Sequence, residues 1–167
     1  QLKLTPPPNS DADFTLTVTP YDAEVAWTQL TAKIEVNINA VVDGGYFDVA
    51  NFAIVTGSSG ALPYEFGFED RDGSEQHTVT LSGLPDFISL SAGERVGNDW
   101  VLDFDDLVGL QIRADQVTDL SGFSETHFGL SRRFDVKVTV RSVEASNGDV
   151  FEETDSFSFF ALQRTER

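Results

Sequence analysis

The sequence predicts an all-β fold, an antiparallel β-sandwich, on three observations. Apolar and polar residues alternate with period two in most of the clear segments, as in Phe14-Thr15-Leu16-Thr17-Val18 and Phe134-Asp135-Val136-Lys137-Val138-Thr139-Val140. Turn-forming residues punctuate those segments at short intervals, from Asp43-Gly44-Gly45 to Asn147-Gly148-Asp149. Helical spacing of apolar residues is rare. A strand with one buried and one wet face produces the first pattern, and many short strands joined by turns produce the second.

Taken along the chain, strands are expected at 2–4, 14–18, 34–38, 52–55, 64–68, 78–81, 100–102, 134–140 and 157–159. Pro6-Pro7-Pro8-Asn9 breaks the chain early, and Gly57-Ser58-Ser59-Gly60, Asp72-Gly73, Ala92-Gly93 and Gly97-Asn98 read as loops. One helical turn is expected at 103–107, with Asp103 as its N-cap. Glu152, Glu153 and Asp155 are expected to point outward from the last strand, and Trp100 to lie in the core. His77 reads as a surface residue of its strand.

A weak repeat organises these elements. Leu2-Lys3-Leu4-Thr5, a loop, Phe14–Thr19 and Ile34–Ile38 are matched by Leu110-Gln111-Ile112-Arg113, a longer loop, Phe134–Thr139 and Phe157-Ser158-Phe159. Residues 1–40 therefore read as the back half of a preceding or split module, 41–162 as a complete β-sandwich module and 163–167 as a tail. About 40 residues are too few to bury a sandwich core alone, so the first segment is expected to dock on the second. The pattern opens in mid-course at Gln1, which reads as a piece of something longer, and no signal peptide is visible.

Composition narrows the function classes. The 167 residues carry 28 acidic and 11 basic side chains, a net charge of −17, which repels nucleic acid and anionic membrane surfaces and attracts cations. The absence of Cys excludes disulfides, zinc–thiolate sites and Cys nucleophiles. No apolar run approaches the roughly 18 residues of a membrane span. Catalysis is not expected: the chain has 2 His, no G-x-S-x-G elbow and no phosphate loop. Ser124 or Ser121 beside His127 is too common a combination to mark a triad.

One ordered string carries a family likeness. Ser82-Gly83-Leu84-Pro85, Leu90-Ser91-Ala92-Gly93, Trp100-Val101-Leu102 and Asp106-Leu107-Val108-Gly109-Leu110 follow one another. They are preceded by Asp70-Arg71-Asp72-Gly73-Ser74-Glu75 and by the tail-like Leu4-Thr5-Pro6-Pro7 and Phe14–Thr19. Together they resemble the cadherin-like, immunoglobulin-fold repeat modules of large bacterial RTX and biofilm adhesins. The resemblance implies an immunoglobulin-like sandwich with Greek-key connections. It also implies an extracellular place on a bacterial cell surface and a role in cell adhesion, with neighbouring modules of the same adhesin as partners. The chain departs from the repeat pattern at Leu110–Asp115, which lacks a double proline, and at the long stretch 117–133.

Calcium is the cofactor this reading expects. The ion takes about six to eight oxygen ligands. Glu69, Asp70, Asp72 and Glu75 place four carboxylates within residues 69–75, with Gly73 permitting a tight bend. Anions held that close repel unless a cation sits among them. The spacing does not match an EF-hand, so a loop site at the module's end is expected. The resemblance adds Asp43, in the position where such modules place an aspartate near the junction. The expected metal ligands are thus Asp43, Glu69, Asp70, Asp72 and Glu75. Asp103-Phe104-Asp105-Asp106 reads instead as acids at a helix start. A competing expectation is a ligand-binding module for a cell-surface sugar or peptide, drawing on Tyr21, Trp27, His127 and Arg132.

Overall fold

The computed structural model describes residues 3–8, 11–19, 31–70, 73–127 and 129–164. The chain runs through β1 (Phe14–Val18), β2 (Ala32–Val36), β3 (Gly45–Val49), β4 (Phe52–Val55), β5 (Ser58–Ala61), β6 (Tyr64–Phe68) and β7 (Glu75–Ser82). It continues through β8 (Ile88–Leu90), β9 (Glu94–Val96), β10 (Asp99–Asp103), a 3-10 turn (Phe104–Leu107), β11 (Gln111–Ala114), β12 (Ser124–Thr126), β13 (Gly129–Glu144) and β14 (Val150–Gln163). The protein is all-β, with several mostly antiparallel sheets.

The largest sheet has seven strands in the order β4-β14-β13-β7-β10-β9, with β12 added on β13. Its spine is the ribbon of β13 and β14, paired from Leu130↔Gln163 to Val143↔Val150 and closed by the Asn147-Gly148-Asp149 turn. β4 joins β14 in parallel. At Thr56 and Gly57 the chain leaves this sheet: Thr56 N–H donates to Leu162 O, and Gly57 N–H to Ala114 O of the small β5-β11-β8 sheet. The stretch 57–60, read above as a loop, therefore lies largely in a strand, Ser58–Ala61. Its Ser and Gly residues satisfy their backbone in the β11 ladder, where pairing overrides weak β propensity. β3 and β6 make another two-stranded sheet.

One apolar cluster holds these sheets together. Val79 and Leu81 of β7, Val136, Val138 and Val140 of β13, and Phe159 of β14 are buried in it, at the alternate positions that period two places on one face. Phe47, Ile88 and Ile112 reach it from β3, β8 and β11. Phe159 is flanked by Phe52 and Phe134, each stacked with ring centroids 5.3 Å away. Trp100, expected in the core, is partly buried, packs against the cluster and donates from Nε1 to Ala92 O at 2.8 Å. Gly93 beside it has φ +80°, and a Cβ there would come within 2.5 Å of Val101 O, so only glycine fits.

β1 and β2 form a sheet of their own, Phe14↔Val36 to Val18↔Ala32, with Val18 and Ile34 exposed. The buried members of the apolar cluster begin at Phe47. Leu4 has no strand structure, and the strand expected at 34–38 is shifted to Ala32–Val36. The expected helical turn is present as the 3-10 turn, where Asp103 N–H donates to Asp106 Oδ2 at 3.0 Å.

Candidate functional site: a buried carboxylate cluster beside an aromatic cleft

The buried face of β7 and β13 changes character toward the β13–β14 turn. Cross-strand partners run Leu81↔Val138, Val79↔Val140, His77↔Ser142 and Glu75↔Glu144. The first two pairs are core. The last two carry polar groups on the same face, and all four side chains of these two pairs are withdrawn from solvent. Like charges directly opposite each other in a ladder destabilise it, so the Glu75–Glu144 pair needs compensation.

Part of it comes from local donors. Ser74 Oγ donates to Glu144 Oε2 at 3.1 Å, and Ser146 N–H to Glu144 Oε1 at 2.9 Å. Gly73 N–H and Glu75 N–H donate to the two oxygens of Asp70 at 3.0 and 3.2 Å, folding the acidic loop around its own first carboxylate. Gly73 has φ +77°, which this bend requires. Asp43 N–H donates to Glu75 Oε1. Glu75 Oε2 is buried without any hydrogen-bond partner, and the side chain is 1% exposed. An orphaned carboxylate oxygen is costly unless something cationic or protic meets it.

Electrostatics reinforce that cost. Burial pushes the Glu75 carboxyl above its ordinary pKa, and the negative charges of Asp43, Asp70 and Glu144 push it further; the Asp43 N–H acts in the opposite direction. His77 offers little relief. Burial lowers its pKa, opposed by Asp70, and its Nδ1 is 2.8 Å from Ser142 Oγ. It stands 3.8 Å from Glu75 Oε2 and 3.9 Å from Asp70 Oδ2, beyond hydrogen-bonding reach. The surface role expected for His77 is thus corrected: it is buried, stacked on Phe68 with centroids 4.1 Å apart, because it occupies an inward position of β7.

Of the expected metal ligands, Asp43, Asp70 and Glu75 come together here. Glu69 does not join them; it is exposed, its N–H donates to Gly44 O, and it faces a second hollow with Tyr46 and Phe151. Asp72 lies outside the described residues. Among the described residues, no group of three or more His, Asp and Glu is arranged to hold a metal ion as it stands. Glu144 was missed by sequence reasoning, though the alternation beginning at Phe134 puts residue 144 on the inward face.

Beside the cluster lies a cleft of about 740 Å³. Phe66, Phe68, His77 and Phe104 form its aromatic wall. Phe104, on the 3-10 turn, meets Phe66 and Phe68 edge-on at 6.2 and 5.6 Å. Asp70, Glu75, Asp103 and Asp105 supply carboxylates to the lining.

Of the four residues expected to bind a sugar or peptide, His127 and Arg132 are among the described residues. Tyr21 and Trp27 lie outside the described residues. His127 is exposed just past β12. Arg132 sits with its guanidinium 4.9 Å over the Phe134 ring and donates to Ser121 O at 3.2 Å. Arg133 pairs with Asp135 at 2.8 Å.

Fold and site together describe an all-β protein that buries a group of carboxylates at one end of its main sheet. No family model, curated protein or solved structure matches the chain.

Proposed function

We propose that this chain is a non-catalytic, immunoglobulin-like module of a bacterial surface adhesin, stiffened by calcium and serving to space or present adhesive domains. The observation that carries the calcium part is the buried Glu75 Oε2, which has no partner while Asp43, Asp70 and Glu144 press negative charge on it. A hard divalent cation prefers carboxylate and carbonyl oxygens and would relieve all of these at once. Asp43, Asp70, Glu75 and Glu144 are the residues that would hold it, with Asp72 on the same loop. Since these groups are not arranged as a closed cage, the ion would draw the 70–75 loop and the segment around Asp43 onto the β13–β14 turn. Asn147 Nδ2 already donates to Ala40 O at 2.8 Å, so this end of the sheet meets the chain that enters from the β1–β2 hairpin. Pinning it would stiffen the junction. The adhesin role rests on the ordered string from Ser82 to Leu110 and on the all-β architecture.

Thermal melting in calcium and in chelator tests the mechanism. A ligand that binds only the folded state at about a hundred times its Kd adds about 2.7 kcal/mol. For a chain of this size that raises Tm by about 5–10 °C. An unchanged Tm at millimolar calcium would reject calcium stiffening.

The second reading, an adhesin module that binds a sugar or peptide, is favoured by one observation: the aromatic-walled cleft beside the carboxylates.

A further inference from the structure

We propose that the cleft beside the carboxylate cluster receives the side chain of an arginine carried by a peptide or protein partner. Its size suits a side chain with its flanking backbone, since small-ligand pockets run from about 300 to 1,000 Å³. Its chemistry is one-sided. Among the described residues, the ionisable groups lining it are Asp70, Glu75, Asp103 and Asp105, with His77 buried and its Nδ1 2.8 Å from Ser142 Oγ. Carboxylates only accept hydrogen bonds, so the complementary ligand is one that only donates. A sugar hydroxyl both donates and accepts, and matches such a lining poorly. Ammonium and guanidinium groups donate only.

The aromatic wall separates those two. Phe104 is 46% exposed at the cleft, an unusual position for a phenylalanine, and it is fixed edge-on against Phe66 and Phe68. A planar guanidinium can lie on such a face while its N–H groups point to a carboxylate; a compact, strongly hydrated ammonium gains less from the same wall. Glu75 Oε2 is the buried acceptor without a partner, and Glu75 lines the cleft. A guanidinium reaching it makes a charge-assisted bond to an oxygen that has none, which favours arginine more than contacts at the exposed rim do. The net charge of −17 draws a basic segment toward the protein from a distance.

The site shares Asp70 and Glu75 with the calcium reading but does not depend on it. Calorimetric titration in chelator therefore tests arginine alone, and a protein indifferent to calcium can still bind. The probes are acetyl-Gly-Arg-Gly-amide and the same peptide with citrulline, which keeps the shape and loses the charge. The arginine peptide is expected to bind at least tenfold more tightly than the citrulline peptide. Phe104→Ala, which removes an exposed ring, is expected to weaken arginine binding by about fivefold, the size of a cation–π contact. Asp105→Asn, on an exposed rim position, should weaken it by about twofold without touching the core, and keeps the test usable if Phe104→Ala melts early. Equal binding of the two peptides, binding of neither, or an arginine affinity unchanged in both variants would overturn the proposal.

Discussion

β7 and β13 carry two different interiors along one face, one apolar and one polar and charged, and the contrast between them shows how side-chain chemistry decides what burial does. At one end, Leu81↔Val138 and Val79↔Val140 close over an apolar cluster that Phe159 shares. At the other, His77↔Ser142 and Glu75↔Glu144 occupy the same inward register with polar and charged groups. Backbone pairing is continuous across both. Only side-chain chemistry changes, and with it the sign of burial: withdrawal from water stabilises Val79 and penalises Glu75.

The largest expected effect comes from the apolar end. Phe159 is fully buried between Phe52 and Phe134. Phe159→Ala should cost about 3–5 kcal/mol, the range for emptying a packed aromatic position. Tm should fall by about 10 °C or more in chelator, and the calcium increment should survive in whatever still folds. If the increment vanished with the core ring, the two ends would not be separable.

The middle effect comes from the acidic end and has the opposite sign. Glu75→Gln keeps an oxygen for the Asp43 N–H and removes the charge that burial and three neighbouring carboxylates oppose. In chelator near pH 7 this variant is expected to melt about 2–4 °C above the wild type, a gain of about 1 kcal/mol, and to lose most of the calcium increment. The pH dependence follows from the raised pKa. Protonated Glu75 is favoured by the folded state, so its stabilising contribution is fully present below 4.5 and is lost as pH rises through the elevated folded-state value. The difference in Tm between variant and wild type should therefore open above pH 4.5 and close below it. A variant less stable than wild type in chelator would mean that the ionised carboxylate is already compensated.

The same contrast explains what could be read from the sequence. Period-two alternation located the central parts of β7, β10, β13 and β14, because side-chain facing follows from backbone geometry alone. It also held the answer for His77 and Glu144, whose inward phase is set by Val79 and Val140 on their own strands. Polarity suggested a surface place for His77, and phase overrides polarity when pairing is continuous. Short strands such as Ser58–Ala61 and Glu94–Val96 were illegible, because their residues have weak β propensity and are strands only by virtue of β11 and β10. In the acidic loop, local clustering groups Asp70 with Glu75, and the Glu75 N–H does donate to Asp70. It treats Glu69 alike, although that residue lines the hollow with Tyr46 and Phe151, and it has no means of finding a carboxylate that arrives from residue 144.

The smallest effect tests whether burial or charge is responsible for the behaviour of the acidic end. β13 also carries Arg133, whose guanidinium pairs with Asp135 at 2.8 Å on the solvent side of the strand. Both side chains are more than half exposed, so water screens the pair and competes for its hydrogen bonds. Arg133→Ala should shift Tm by less than about 2 °C, in chelator and in calcium alike, with no bend near pH 4.5. Removing a charge from the wet face of β13 would then be nearly silent, while removing one from the dry face of its neighbour β7 changes stability, pH response and metal response together. Should Arg133→Ala raise Tm in chelator or reduce the calcium increment as Glu75→Gln is expected to do, the response would follow overall charge, and the buried oxygen of Glu75 would lose its special place.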